Sequence, residues 1–236
     1  MFWIARLGET DYEEAFRMQK EWRRLRIEGK IPDLFLTTSH PPVYTLGKRD
    51  CREDFLSSPG RILEDGIVVI QSNRGGRITY HGPGQLVGYF IVNIRELRLS
   101  IPQFVRKVEE VLILTLKDFG LETRRDPEYP GVWVGEKKIA ALGLHFDRGV
   151  SLHGFALNVN PALEHYRHII PCGIRGRSVT SMEKELGRTV KMVEVEASVE
   201  KSLSEVFAVP TRIVSPKDLF SPPPKKGHGE SAVPRG

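Results

Sequence analysis

Apolar and polar positions change period several times along the chain, and each change marks an element. Over residues 10–29, Tyr12, Ala15, Phe16, Gln19, Trp22 and Leu25 fall near one face of a 3.6-residue repeat, which predicts a helix. Thr10 with Glu13 offers a capping box at its start, and Gly29 supplies its stop. Arg23, Arg24 and Arg26 take the opposite, solvated side. Residues 33–38 and 43–46 read as strands around a His40-Pro41-Pro42 turn, and 67–71 as another. Residues 78–80 form a short strand and 86–93 an apolar one. A second helix spans 100–119, capped by Ser100 with Gln103, apolar at Phe104, Val105, Val108, Val111, Leu112 and Leu116, and stopped by Gly120. The period then falls to two. Residues 132–134, 138–146 and 151–158, joined at Gly135-Glu136 and Arg148-Gly149, read as a meander. Short helices follow at 162–168 and after Thr180, whose partner in a capping box is Glu183 and whose stop is Gly187. A last helix covers 193–207.

This order contains no regular βαβ repeat and no internal repeat. It predicts an α+β fold, a mixed and largely antiparallel sheet covered by helices, in one domain over residues 1–214. Residues 215–236 are rich in Pro, Gly, Lys and Ser and read as a flexible tail.

Composition narrows the function classes. The 236 residues are 40% apolar and 28% charged, an ordinary soluble balance, with no apolar run long enough to span a membrane. The first residues turn charged too soon for a signal peptide. The net charge of +5 suits an acidic partner, but no Lys/Arg block points to nucleic acid. The two cysteines, Cys51 and Cys172, lie far apart without a CxxC, which fits a reducing cytoplasm better than a disulfide scaffold.

Residues 74–85, Arg-Gly-Gly-Arg-Ile-Thr-Tyr-His-Gly-Pro-Gly-Gln, hold four glycines, a proline, two arginines and a histidine. That is poor core material. Gly75-Gly76 lets the backbone come close to something or take a positive φ. A tight hairpin would explain one Gly-Gly; this density of polar chemistry favours a ligand-binding wall. Gly82-x-Gly84-x-x-x-Gly88 is not a dinucleotide loop, since its spacing is wrong and it leads into a strand.

Cys172 sits in Pro171-Cys172-Gly173, a turn that leaves a cysteine more accessible than the usual buried thiol. As a nucleophile it needs a nearby cation or base to lower its pKa. Cys51, in a charged loop, lacks such a setting and reads as incidental. His165-x-x-His168-x-x-x-Cys172 resembles half a zinc site but has no evident fourth ligand, so no metal is expected. His81 and His153 each precede a glycine at a strand end, and either could line a pocket. Lys137 and Lys138 open a strand of small residues. Alternation sends them to opposite faces, so at most one can reach a site beside Ala140, Ala141 and Gly143.

Together these segments resemble the lipoyl(octanoyl) transferases. The likeness runs through His40-Pro-Pro-Val-Tyr-Thr-Leu-Gly47, the 74–85 run, Lys138-Ile-x-x-Leu-Gly143, His153-Gly-Phe-Ala-Leu-Asn-Val159, Pro171-Cys-Gly-Ile174 and Val179-Thr-Ser181. It extends in consistent order from about residue 30 to about residue 185, with Met182 where leucine is usual. The resemblance implies the fold of lipoate and biotin ligase catalytic domains. It makes Cys172 and Lys138 catalytic. It places substrate contacts at Arg74, Gly75, Gly76, Arg77, Ile78, Thr79, Tyr80 and His81, at Ala141, Leu142 and Gly143, and at Gly154, Phe155 and Ala156.

The activity so implied is transfer of octanoyl, without a cofactor, from octanoyl-acyl carrier protein to a lysine of lipoyl domains. Those domains belong to 2-oxoacid dehydrogenases and the glycine-cleavage H protein. Cys172 would carry the acyl group as a thioester, Lys138 would handle protons, and the small residues would form an acyl tunnel. Two rival classes stand beside this reading. An ATP-dependent lipoate or biotin ligase of the same fold would need no cysteine. A non-catalytic binding module would need neither Cys172 nor Lys138.

Overall fold

The computed structural model describes residues 1–49, 52–173 and 176–219, with the backbone alone for Arg52 and Cys172. Cys51 and residues 220–236 of the expected tail lie outside the described residues. The chain opens with β1 (Phe2–Glu9), α1 (Tyr12–Ile27), β2 (Asp33–Ser39), β3 (Val43–Leu46), α2 (Pro59–Glu64), β4 (Val68–Gln71), β5 (Thr79–His81) and β6 (Gln85–Ile91). It continues through α3 (Ile101–Asp118), β7 (Arg124–Arg125), β8 (Gly131–Val134), β9 (Lys137–Asp147) and β10 (Val150–Asn158). It closes with α4 (Met182–Leu186), α5 (Met192–Phe207) and β11 (Thr211–Ile213).

Eight strands form one sheet in the order β11-β1-β2-β6-β10-β9-β8-β7, and three form a second, β4-β3-β5. From β2 to β7 every neighbouring pair is antiparallel, which includes the expected β8-β9-β10 meander. The parallel pairs are β1 with β2, β1 with β11, and β3 with β4. The predicted mixed, largely antiparallel sheet is therefore present. One expectation is corrected: β1, α1 and β2 make a parallel crossover, a βαβ unit where residue order predicted no strand before the first helix.

Both faces of the large sheet are covered. On one, α3 and α5 pack Phe104, Val108, Leu112, Val195, Val199 and Leu203 against Phe35, Phe90 and Leu157. On the other, α1 lays Ala15 and Trp22 over Leu34, Leu36, Val87 and Leu152. The small sheet has a separate core of Tyr44, Ile78, Tyr80, Tyr166 and Ile169. It stands beside the large sheet, and the gap between the two is where the chemistry-bearing residues gather.

Local sequence sets the helix ends, with a shift of one residue at two of them. At α3 the capping box of Ser100 and Gln103 forms as expected. At α1 the cap is Asp11 rather than Thr10: its carboxylate accepts from the backbone N–H groups of Glu13 and Glu14 at 2.9 and 3.1 Å. Thr10 instead gives its carbonyl to His40. At α4 the cap is Ser181 rather than Thr180, whose hydroxyl reaches Glu185. The packed chain also runs past residue 214. A turn of 3-10 helix over Pro216–Leu219 buries Leu219 against the α1-side core, so that part of the expected tail belongs to the domain.

The cap assignment at α1 is testable by urea unfolding. Asp11→Ala is expected to cost about 1 kcal/mol, the usual loss for an N-cap, and Thr10→Ala to stay within about 0.5 kcal/mol. The reverse order would return the cap to Thr10.

Candidate active site

The wall of the site begins with a close approach of backbone to backbone. Gly75 N–H donates to Leu144 O of β9 at 3.1 Å, and a Cβ on Gly75 would lie 2.9 Å from that oxygen. Gly76 follows at φ +84°, a conformation natural to glycine. Only two glycines in a row let this loop lie on β9. The buried Arg74 guanidinium braces it from behind, donating from Nε to Thr45 Oγ1 at 2.9 Å and from a terminal nitrogen to Gly75 O at 3.0 Å.

A cavity of about 450 Å³, counted with its mouth, opens between this loop and the large sheet. The expected substrate residues Arg74, Gly76, Arg77, Thr79 and His81 line it, as do all of Ala141, Leu142, Gly143, Gly154, Phe155 and Ala156. Gly75 instead lines the open groove next door. Ile78 and Tyr80 turn the other way. Strand alternation puts them in the core of the small sheet, so they do not reach the cavity. Tyr12, Val87, Tyr89 and His153 complete the lining. Of these, only His153 carried a signal in the sequence, its place before a glycine. The other three have the periodicity of core residues, and in part that is what they are.

One hydrogen-bond relay orders the polar side of the cavity, from Arg74 to Asn158 in the wall of the smaller cavity next to it. Arg74 donates to Thr45 Oγ1; Thr45 lies 3.3 Å from His81 Nε2; His81 Nδ1 is 2.8 Å from Gln85 Oε1; Gln85 Nε2 donates to Asn158 Oδ1 at 2.9 Å. Since the Gln85 amide nitrogen is a donor here, its oxygen accepts, and the His81 proton is on Nδ1. A second pairing fixes His40. Its Nδ1 reaches Thr10 O at 2.6 Å, so that nitrogen holds the proton, and Nε2 accepts from Tyr89 at 2.7 Å. Burial disfavours charge on all three histidines. It lowers the pKa of His40 to about 4, that of His153 to about 3 with help from the Arg74 charge, and that of His81 well below its ordinary value.

The expected catalytic pair lies at that smaller cavity. Lys138 is 6% exposed and Lys137 faces away, ion-paired to Glu185 at 2.5 Å, as alternation requires. The Lys138 ammonium donates to Pro130 O at 3.3 Å and stands 4.8 Å from the centre of the Trp133 ring. Among the described residues no carboxylate lies within ion-pair reach of it. Lys138 and Pro171 line one small cavity, which shares Thr79, Ala141 and Ala156 with the larger one. The Cys172 backbone lies in the turn Pro171–Gly173.

That turn is tied down on its N-terminal side. Ile170 N–H donates to Asp54 O at 2.7 Å, and Leu56 N–H to His168 O at 2.8 Å. Asp54 also accepts from Arg77 Nε at 2.6 Å. The cysteine turn and the glycine loop are thus held by one residue. His168 is occupied by Ser57 and Asp65, at 2.8 and 2.6 Å.

A wall of glycines and alanines thus leads to a lysine and a cysteine turn at one end. Residues 11–204 match the model of the lipoyl protein ligase A/B catalytic domain, and the chain belongs to that family. Within it the chain sits among the octanoyltransferases. It is 43% identical over 218 residues to the octanoyltransferase of Caldicellulosiruptor saccharolyticus, covering 92% of this chain and 93% of that one. In fold it is similar to lipoate-protein ligase A bound with ATP, at 19% identity and a TM-score of 0.72, over 91% of this chain and 89% of that one. It is equally similar to the bi-partite lipoate protein ligase of Thermoplasma acidophilum, studied with its E2 lipoyl domain, at 18% identity and 0.72, over 91% and 87%.

The buried histidines predict how stability depends on pH. Each is neutral in the folded protein, whereas the unfolded chain takes up a proton below about pH 6.5. Stability is then complete above about pH 6.5 and falls as pH drops toward 4, by up to about 1.4 kcal/mol per pH unit for each histidine. Urea midpoints between pH 7 and 4.5 should trace this slope, and His40→Asn should lower it. An equal slope in the variant would show that His40 does not contribute.

Proposed function

We propose that the chain transfers octanoyl from the thioester of an acyl carrier protein to one lysine of a lipoyl domain, through an acyl-enzyme on Cys172. The observation that carries this reading is the sharing of Thr79, Ala141 and Ala156 between the large cavity and the one lined by Lys138 and Pro171. An acyl chain seated among these small residues has its carboxyl end beside a buried amine and the cysteine turn.

In the first half-reaction the Cys172 thiolate attacks the donor carbonyl. The tetrahedral intermediate collapses, expelling the carrier-protein thiolate, which takes up the proton given up by Cys172. In the second, the lysine amine of the lipoyl domain attacks the new thioester, an amide forms, and Cys172 leaves as thiolate. The proton lost by the amine returns to it. Lys138 is the relay for both transfers. Dividing the reaction lets two protein partners use one mouth in turn. Because the donor is already a thioester, no nucleotide is consumed, unlike in an adenylate-forming ligase. The net charge of +5 and the cationic Arg49 and Arg77 beside the mouth suit acidic partners. No helix among the described residues is long and apolar enough to cross a membrane; a cytoplasmic setting, where carrier protein and lipoyl domains meet, belongs to the same proposal.

Intact-mass analysis tests the intermediate. Incubation with octanoyl-carrier protein without ATP should add one hydroxylamine-sensitive octanoyl group. Cys172→Ser should lose the adduct and Cys51→Ser should keep it. A thioester adduct persisting on Cys172→Ser refutes the assignment.

Lys138→Ala should slow turnover by about 10²–10⁴, the usual loss for a general base. Lys137→Ala should change it less than about twofold, since its ion pair with Glu185 is half exposed. Equal losses from the two lysines would contradict this division of roles.

A further inference from the structure

We propose that His153 sets the length of the acyl chain by closing the cavity one octanoyl length from the reacting end. The proposal rests on the octanoyl-transfer reading above and adds to it the residue that measures the chain.

The register of β9 and β10 gives the distance. Ala141 pairs with Ala156, and Leu144 with His153. The Ala141–Ala156 pair also lines the cavity of Lys138 and Pro171, so it marks the reacting end. Three residues separate Ala156 from His153, a rise of about 10 Å at ~3.4 Å per residue. Three bonds of an extended chain advance at most ~3.6 Å, so the seven C–C bonds of octanoyl advance roughly 8 Å. Wall and ligand agree to within a methylene or two.

The residue at the far end is held there against its own preference. His153 has φ +61°, in the left-handed region, within a strand that is otherwise extended. The consequence is visible in its neighbours. Leu152 packs in the α1-side core, and the next residue, His153, also turns toward α1, so alternation is broken. Its ring stacks on Phe16 at 5.2 Å and meets the Tyr89 ring edge-on at 6.3 Å. Nε2 is 2.6 Å from Asn73 Oδ1, and the backbone N–H donates to Gln19 Oε1 at 3.0 Å. Glycine would take this φ freely, yet the position carries a ring, fixed from three sides and 2% exposed. A chain two or more methylenes longer than octanoyl would have to displace it. A pocket that must accommodate an extra methylene typically discriminates by about 10–200-fold.

The test is competition. The full-length protein receives equimolar octanoyl-, decanoyl- and dodecanoyl-carrier protein with a lipoyl domain, and the products are resolved by mass. The wild-type chain is expected to give mainly octanoyl product. His153→Gly, which fits the positive φ, should keep its melting temperature and raise the dodecanoyl-to-octanoyl ratio at least tenfold. An unchanged ratio in the folded variant overturns the proposal. Should His153→Gly fail to fold, Phe16→Ala decides. Phe16 backs the ring without lining the cavity, and its loss should raise the decanoyl-to-octanoyl ratio severalfold; an unchanged ratio overturns the proposal equally. A wild-type chain that transferred no acyl group would instead remove the octanoyl-transfer reading, and the proposal with it.

Discussion

The contact on which the rest of the site depends is the one between Gly75 and Leu144. It is a single backbone hydrogen bond, but it is made where no side chain fits. It joins the small sheet, through the loop after β4, to the middle of β9 in the large sheet. The cavity is the space left when two independently cored sheets meet along such a seam. Every other element of the site is a support for it. Arg74 braces the loop from β3, Arg77 ties it to Asp54, and Asp54 in turn holds the segment that leads to Cys172. A substitution at Gly75 would therefore act on the wall, the cysteine turn and the cavity at once.

The second constraint is electrical. A chamber walled in part by two histidines, two tyrosines and an arginine, with His40 behind Tyr89, leaves those groups to find partners within the protein, because a buried unpaired polar group costs free energy. The relay from Arg74 to Asn158 does so for His81, and Thr10 with Tyr89 does so for His40, while His153 is bonded through Nε2 alone and keeps a buried, unpaired Nδ1. Lys138, buried over the Trp133 ring, stands apart from these rings.

Much of this was legible from residue order, for reasons that differ by element. The helices α3 and α5 show a clean 3.6-residue period because each buries one face only. The β8–β10 meander is marked by its Gly-containing turns. β1 was not legible: Phe2, Ile4 and Ala5 are all buried because both faces of the sheet are covered, so no alternation appears. β11 shows no pattern for the opposite reason, since all three of its residues are exposed. α2 buries Ile62 alone. At the site, Lys138 could be separated from Lys137 by alternation, and the glycine loop by its composition. Tyr12, Val87 and Tyr89 could not be found, since a residue that is half core and half cavity wall has the periodicity of the core. Ile78 and Tyr80 join the core of the small sheet, because a motif names a run whereas a strand presents every second residue to one face.

The pairing of β1 with both β2 and β11 bears on how the chain is made. β1 and β2 are joined by α1 and can form early. The outer edge of β1 is then a row of unpaired backbone groups, and the residues that cover it, Thr211–Ile213, are synthesised about 200 residues later. Until then the growing chain exposes a strand edge to its neighbours on the polysome. Long-range strand closure of this kind is slow and invites edge-to-edge association. β11 covers Phe2 to Ile4 alone; further along β1, Arg6 is taken up by Glu200 of α5 and Glu9 is exposed. Ribosome spacing and chaperone supply then bear on how much of this chain is recovered folded, beside the stability of the finished sheet.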